Sequence, residues 1–232
     1  MRDEASGQAK GGINVGKSRG KYIPALKYVW LTPMYDPLLK WMMREDTFKG
    51  DLVRQSRIRE GHRVLDLGCG TAALTILTKK LHRDAEVVGI DGDPSVLEIG
   101  REKADRAGVD VTLDLGMAFE LPYPDCSFDR VLSSLLLHHL TRESKERTLQ
   151  EAFRVLRPGG GLHVADFGVP QNAFARLASL IMERLEEVSD NVRGRLPEMF
   201  RRAGFEQVEE TTRYMTMVGT LSLYRASKPM NS

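Results

Sequence analysis

The chain has 232 residues, 34 Lys and Arg against 32 Asp and Glu, a net charge of +2, and 41% hydrophobic residues. That length fits one α/β domain plus an extension, and so even a charge balance argues against a polyanion, hence no nucleic acid partner is expected. No run of 18 apolar residues occurs, so no membrane span is expected, and no signal-peptide apolar region opens the chain. Two cysteines, Cys69 and Cys126, are too few for a metal cluster, and no metal is expected. Cys69 lies in a glycine turn, a poor place for a disulfide, so a reducing, cytoplasmic setting is the simple reading.

Residues 1–20 are rich in Gly, Ser and Lys and read as a mobile tail. Gly11 to Ser18 has the look of a phosphate loop, but no apolar strand precedes it and the spacing is wrong. Residues 21–60 carry Tyr22, Tyr28, Trp30, Tyr35 and Trp41, the densest aromatic group in the chain. Asp36 and Pro37 suit a helix N-cap and first turn, with Leu38, Leu39, Met42 and Met43 behind them. Two readings stay open: a helix packed on a sheet, or an N-terminal aromatic helical lid over a ligand corner. The position just ahead of that corner favours the lid, with Tyr35 as a candidate ligand contact.

The third unit is 61–232. Residues 63–67 form a strand, Gly68 and Gly70 a tight turn, and 73–80 a helix. A second strand, 86–90, ends at Asp91, 21 residues after Gly70. A strand, a glycine turn, a helix N-terminus and an acid about 20 residues on form a nucleotide-type corner, in which the acid suits a ribose diol. Gly68, Gly70 and Ala73 also satisfy the dinucleotide pattern. Asp66 points elsewhere: it would repel a pyrophosphate but can face a cation.

A helix follows from Pro94 to Ala107, then a strand over 109–115, another over 129–135, and a helix over 144–156 stopped by Arg157-Pro158-Gly159-Gly160. A fifth strand is predicted over 161–166. Residues 172–189 read as an inserted amphipathic helix with Leu177, Leu180, Ile181 and Leu185 on one face. A helix over 196–203 and strands over 206–214 and 219–225 close the chain. The alternation predicts an α/β fold, a mainly parallel sheet with helices on both faces and ligands at the carboxyl ends of the strands.

The segments VLDLGCGTA, GIDGDPSVLEIGREKA, LPYPDCSFDRVLSSLLLHHL and EAFRVLRPGGGLHVADF, with the AGF at 203–205, resemble a class I S-adenosylmethionine (SAM)-dependent methyltransferase of the ubiquinone/menaquinone-biosynthesis subgroup. The resemblance covers about residues 35–226. It implies a Rossmann-like seven-stranded sheet whose last strand is antiparallel, SAM as cofactor and S-adenosylhomocysteine (SAH) as product. It implies that Asp66, Gly68, Cys69 and Gly70 form the SAM loop, that Asp91 holds the ribose, and that Gly92 lies near the adenine. Ser133 and Ser134 fall beside the methionine part, and His138 and His139 match paired histidines just beyond.

Two positions depart from the family pattern. Ala72 stands where the third loop glycine would be, which asks for an unstrained backbone there. Met117 replaces an acid that accepts a hydrogen bond from the adenine amino group, leaving the Met117 and Ala118 backbone to hold the ring.

Methyl transfer from a sulfonium is an in-line displacement that mostly needs positioning and dryness. His138, His139 and Asp166 are candidate bases, set against a purely capping role for the histidines. Metal-assisted catechol chemistry is not expected, because no acid ends the fourth strand. Ser133-Ser134-Leu135 is not the motif of adenine or glutamine N-methyltransferases, which leaves a small, partly apolar or aromatic acceptor with an O-, N- or C-nucleophile. The alternatives are an NAD(P)-dependent oxidoreductase, an aminopropyltransferase, or a SAM-binding module without catalysis. A monomer or homodimer is expected.

Overall fold

A computed structural model describes residues 45–171, 187–216 and 219–231. Seven strands form one sheet in the order β3-β2-β1-β4-β5-β7-β6. They are β1 (Arg63–Leu67), β2 (Glu86–Asp91), β3 (Thr112–Leu115), β4 (Phe128–Ser134), β5 (Leu156–Phe167), β6 (Glu206–Thr216) and β7 (Gly219–Ser227). β7 runs antiparallel to both neighbours, while the β3-β2-β1-β4-β5 pairings are parallel. The helices are α1 (Glu45–Gln55), α2 (Ala73–Leu81), α3 (Pro94–Ala107), α4 (Arg142–Val155), α5 (Ser189–Val192) and α6 (Leu196–Arg202).

The strands alternate faces, and each face has its own core. Leu65, Val88, Val131, Leu162 and Val164 pack beneath α4 and α6 with Leu149, Val155 and Phe200. Val64, Val87, Leu132, Ala165 and Leu223 pack on the other side with Leu74 of α2 and with Phe48, Leu52 and Val53 of α1. The sequence placed 45–60 with the lid. α1 instead seats three fully buried side chains on the sheet, each worth about 1.5–3 kcal/mol. The aromatic cluster and Tyr35 lie outside the described residues, as does nearly all of the inserted helix, 172–186.

The fourth linker also differs from expectation. α4 ends at Val155 and β5 starts at Leu156 without a break. Leu156 pairs with Phe128 and Gly161 with Arg130, so residues 157–160 bulge opposite the single Asp129. Gly159 permits this with φ +76°. β3 is shorter than expected because its first residues serve the C-terminal end of α3, where Gly108 takes φ +62° and Val109 N–H donates to Ala104 O at 3.2 Å.

Candidate active site

The ligand corner is built at the carboxyl ends of β1, β2 and β4. Gly68 takes φ +71° and Gly70 φ +51°. The turn lets the Gly68 and Cys69 amides donate to Ile90 O at 2.9 and 3.0 Å. The Gly70 amide donates to Asp91 Oδ2 at 2.9 Å, and the Asp93 amide donates to Asp91 Oδ1 at 3.0 Å. Asp91 therefore ties the glycine turn to the start of α3. It remains half-buried, and its carboxylate has lone pairs to spare for further donors.

Asp66 is 1% exposed and accepts from Thr75 Oγ1 at 2.6 Å. Desolvation pushes its carboxyl up to about 6, against the opposing pull of the Thr75 hydrogen bond. A buried acid so disfavoured as an anion is one that a nearby cation would stabilise. Cys69 is buried, and desolvation followed by the charges of Asp66 and Asp91 raises its thiol far above the usual range, so it is no nucleophile. Thr75 was not foreseen; its signal is a buried polar residue on the sheet-facing side of α2.

Ala72 overturns the expectation of a relaxed backbone. It adopts φ 60°, ψ 23°, the left-handed region, as the N-cap of α2. That conformation costs a non-glycine residue roughly 1–2 kcal/mol. The methyl group is fully buried against Leu97 and Leu113, and a buried CH₂-sized group returns about 0.8 kcal/mol.

Where the resemblance implies the adenine, half-buried Met117 bridges Glu120, whose amide donates to Met117 O at 3.1 Å. Ala118 packs against the main core, and Gly92 is half-buried beside Asp91. The Met117 carbonyl thus already has a donor.

β4 ends one residue earlier than expected, at Ser134. Leu135 turns left-handed, φ 58°, and donates its amide to Ala165 O at 2.8 Å. Ser133 Oγ donates to Leu67 O at 3.1 Å, while Ser134 Oγ is buried with no partner among the described residues. A 3₁₀ turn, Leu137–His139, follows.

Asp166, from β5, holds that turn. It is fully buried and accepts at Oδ2 from the Leu137 amide (2.8 Å). Oδ1 accepts from the Phe167 amide (2.8 Å) and Asn191 Nδ2 (3.0 Å), and lies 2.8 Å from His138 Nδ1. Desolvation raises its carboxyl, but the His138 charge and these hydrogen bonds win and hold it below the usual range. The anion at Oδ1 makes Nδ1 the protonated nitrogen of His138 and Nε2 its acceptor. The two sequence candidates, His138 and Asp166, are therefore one unit. His139 stacks on His138 with ring centroids 4.0 Å apart, and burial followed by the His138 charge lowers it to about 4.

Behind this unit lies a group the sequence reading missed. Lys145 of α4 is completely buried and donates to Glu187 O. Asp190 binds Arg142 and Arg195 and lies 4.0 Å from Lys145 Nζ. The signal was present: Lys145 stands in the buried stripe of α4 with Leu149 and Ala152. These ion pairs fix the segment that delivers Asn191 to Asp166.

Among the described residues no cluster of His, Cys, Asp and Glu is placed to hold a metal ion, and no helix is long and apolar enough to cross a membrane.

Fold and site together define a class I SAM-dependent methyltransferase. The methyltransferase domain model matches residues 64–160. The YcgJ protein of Bacillus subtilis has the same fold, with a TM-score of 0.62 at 19% identity, covering 78% of this chain and 97% of that one. The demethylmenaquinone methyltransferase of Listeria monocytogenes is 32% identical over 224 residues, 83% of this chain and 89% of its own. The ubiquinone/menaquinone biosynthesis C-methyltransferase UbiE of Pasteurella multocida is 32% identical over 75% of this chain and 72% of its own. The chain belongs to the ubiquinone/menaquinone-biosynthesis methyltransferase family.

Proposed function

We propose that this methyltransferase transfers a methyl group to a ring carbon of a quinone-like acceptor, in its reduced, phenolic form, and that SAM lies against the Gly68–Gly70 turn and Asp91. The observation that supports the cofactor placement most is the Gly70–Asp91 hydrogen bond, which sets the Asp91 carboxylate beside a turn whose outer face at Gly70 is open, with nothing within 4 Å of where a Cβ would stand. The family names of the relatives suggest the acceptor. Loop and site fit the cofactor: Asp66 is a buried acid that a cation favours, and glycine lets the backbone approach the ligand.

When bound, SAM supplies a methyl group made electrophilic by its sulfonium. Asp91 orients the ribose and Asp66 favours the positive charge. His138, aimed by Asp166, accepts at Nε2 the proton of the acceptor's hydroxyl, which raises electron density at the ring carbon. The methyl's bond to sulfur breaks as the bond to the ring carbon forms, with SAH the leaving group. That carbon's own hydrogen is lost as a proton to solvent, which restores the aromatic phenolate, and protonated His138 returns its proton to the oxygen. A base near pKa 4 is poorly matched to neutral pH, so His139 is assigned to packing on His138 rather than to proton transfer. In this proposal the lid expected from the sequence at 22–45 and the helix expected around 172–189 would supply the acceptor pocket. A screen of phenols and reduced quinones with radiolabelled SAM tests the acceptor class; labelling of amines alone would refute it.

Two substitutions test the cofactor site. Asp91→Ala is expected to weaken SAM about ten- to hundredfold by calorimetry, since a charged hydrogen bond is worth roughly 1.5–3 kcal/mol. Unchanged affinity in a folded variant would remove Asp91 from the site. Met117→Asp is expected to tighten SAM by up to about tenfold, by supplying an acceptor for the adenine amino group. A large loss would mean that the adenine side is built around an apolar wall.

A further inference from the structure

On the α1 side of the sheet, the neighbours Leu132, His163 and Arg225 form one row across β4, β5 and β7, and Arg130, Gly161 and Ser227 form the next. These rows lie toward the amino ends of β4 and β5, away from the ligand corner. Gly161 places no side chain between Arg130 and Ser227, and a Cβ there would sit 2.8 Å from His163 Nε2. The His163 ring and the Arg130 chain close over Gly161, and beside them lies a cavity of about 360 Å³, lined by Gly160, Gly161, Arg57, Arg130, His163 and Arg225.

The cavity is cationic and unfilled in its hydrogen bonding. Among the described residues the Arg57 guanidinium has no hydrogen-bond or ion-pair partner, and its backbone is held left-handed at φ 48°. Arg130 is pinned by its own donors, Nε to Ser56 O at 2.6 Å and Nη1 to Asp129 O at 2.7 Å. The adjacent acid, Asp129, is engaged by Arg157 at 2.7 Å and by the Arg63 amide at 2.8 Å. Only Arg225 has its own acid, Glu209, at 2.6 Å. His163 is 6% exposed, and its Nδ1 is buried with no partner among the described residues. Burial, then Arg130, Arg225 and Arg57, hold the imidazole down at about 3, so it stands as a neutral ring able to donate one N–H.

We infer that this cavity is a second ligand site, which takes a phosphate or phosphomonoester group between Arg57, Arg130 and His163. A compact dianion matches two guanidinium groups and a ring N–H converging on a space bounded by glycine backbone. A flat polyanion surface such as nucleic acid would instead call for a broad basic face.

The test uses the full-length protein and follows the His163 ring by NMR, with the signal assigned through His163→Gln. Inorganic phosphate, glycerol phosphate, and vesicles of phosphatidic acid in phosphatidylcholine are titrated against chloride at constant ionic strength. A saturable shift of the ring is expected, weakened about ten- to hundredfold in Arg57→Glu and unchanged in Arg83→Glu, an exposed arginine elsewhere. SAH affinity is expected to stay the same in both variants. A response to the soluble phosphates identifies a free phosphomonoester as the source; a response to the vesicles alone identifies a lipid headgroup. No shift with any of them, or an equal loss in both variants, overturns the site.

Discussion

Replacing Asp166 by asparagine is expected to lower kcat/KM by about 10²–10⁴, the usual contribution of a positioned general base, and to cost about 1–3 kcal/mol of stability. The amide can place only one oxygen. If that oxygen faces His138, Phe167 and Asn191, the new NH₂ opposes the Leu137 amide. If it faces Leu137, the NH₂ opposes three donors. Either way the imidazolium that forms on proton uptake loses its buried anion. Asp166→Ala leaves all four donors without an acceptor and is expected to unfold the domain or cost 3–5 kcal/mol or more, as when one member of a buried charged pair is removed. The asparagine variant separates chemistry from folding. The loss is expected in kcat rather than in KM, with SAH affinity within a few-fold of wild type. A variant that melts early but keeps the wild-type kcat would make Asp166 only a brace for the Leu137–His139 turn.

Gly68→Val is expected to be the most damaging loop substitution. The residue sits at φ +71°, and an added Cβ would lie 2.6 and 2.9 Å from the two Leu136 methyl carbons. Left-handed strain of roughly 1–2 kcal/mol and overpacking of about 1–3 kcal/mol act together, and the turn proposed to face the cofactor is displaced. Urea unfolding is expected to show the loss, and calorimetry no measurable SAH binding. Gly70→Ala is the informative companion. It also has a positive φ but meets no atom within 4 Å, so its stability cost is strain alone. In the proposed site its methyl group projects where the ligand lies. A folded Gly70→Ala protein with normal SAH affinity would show that the turn does not cradle the cofactor.

The apolar runs 63–67 and 86–90, the spacing from Gly70 to Asp91, and the glycine signals were sufficient to determine the parallel half of the sheet, because burial on both faces writes a strand as a short apolar run closed by a turn. The residue types at Asp66, Asp91 and His138 were legible for a local reason: Asp66 is the lone acid inside an apolar strand, Asp91 ends the next strand, and His138 follows a third. The sequence could not show that Ala72 and Leu135 are left-handed. Neither residue prefers that conformation, and only long-range partners, the α3 packing at Ala72 and the Ala165 carbonyl at Leu135, impose it. Nor could it show that Asp166 and His138, 28 residues apart, share a proton-sized gap, or that Asn191 and the buried Lys145 stand behind them. The parallel pairing of β4 with β5 brings Asp166 to the turn after β4, and the ion pairs of Asp190 to Arg142 and Arg195 bring Asn191 to Asp166. The cavity lined by Arg130, His163 and Arg225 is likewise a property of three adjacent strands. Sequence determined which residues could do chemistry at strand ends; the register between distant strands decided which of them meet.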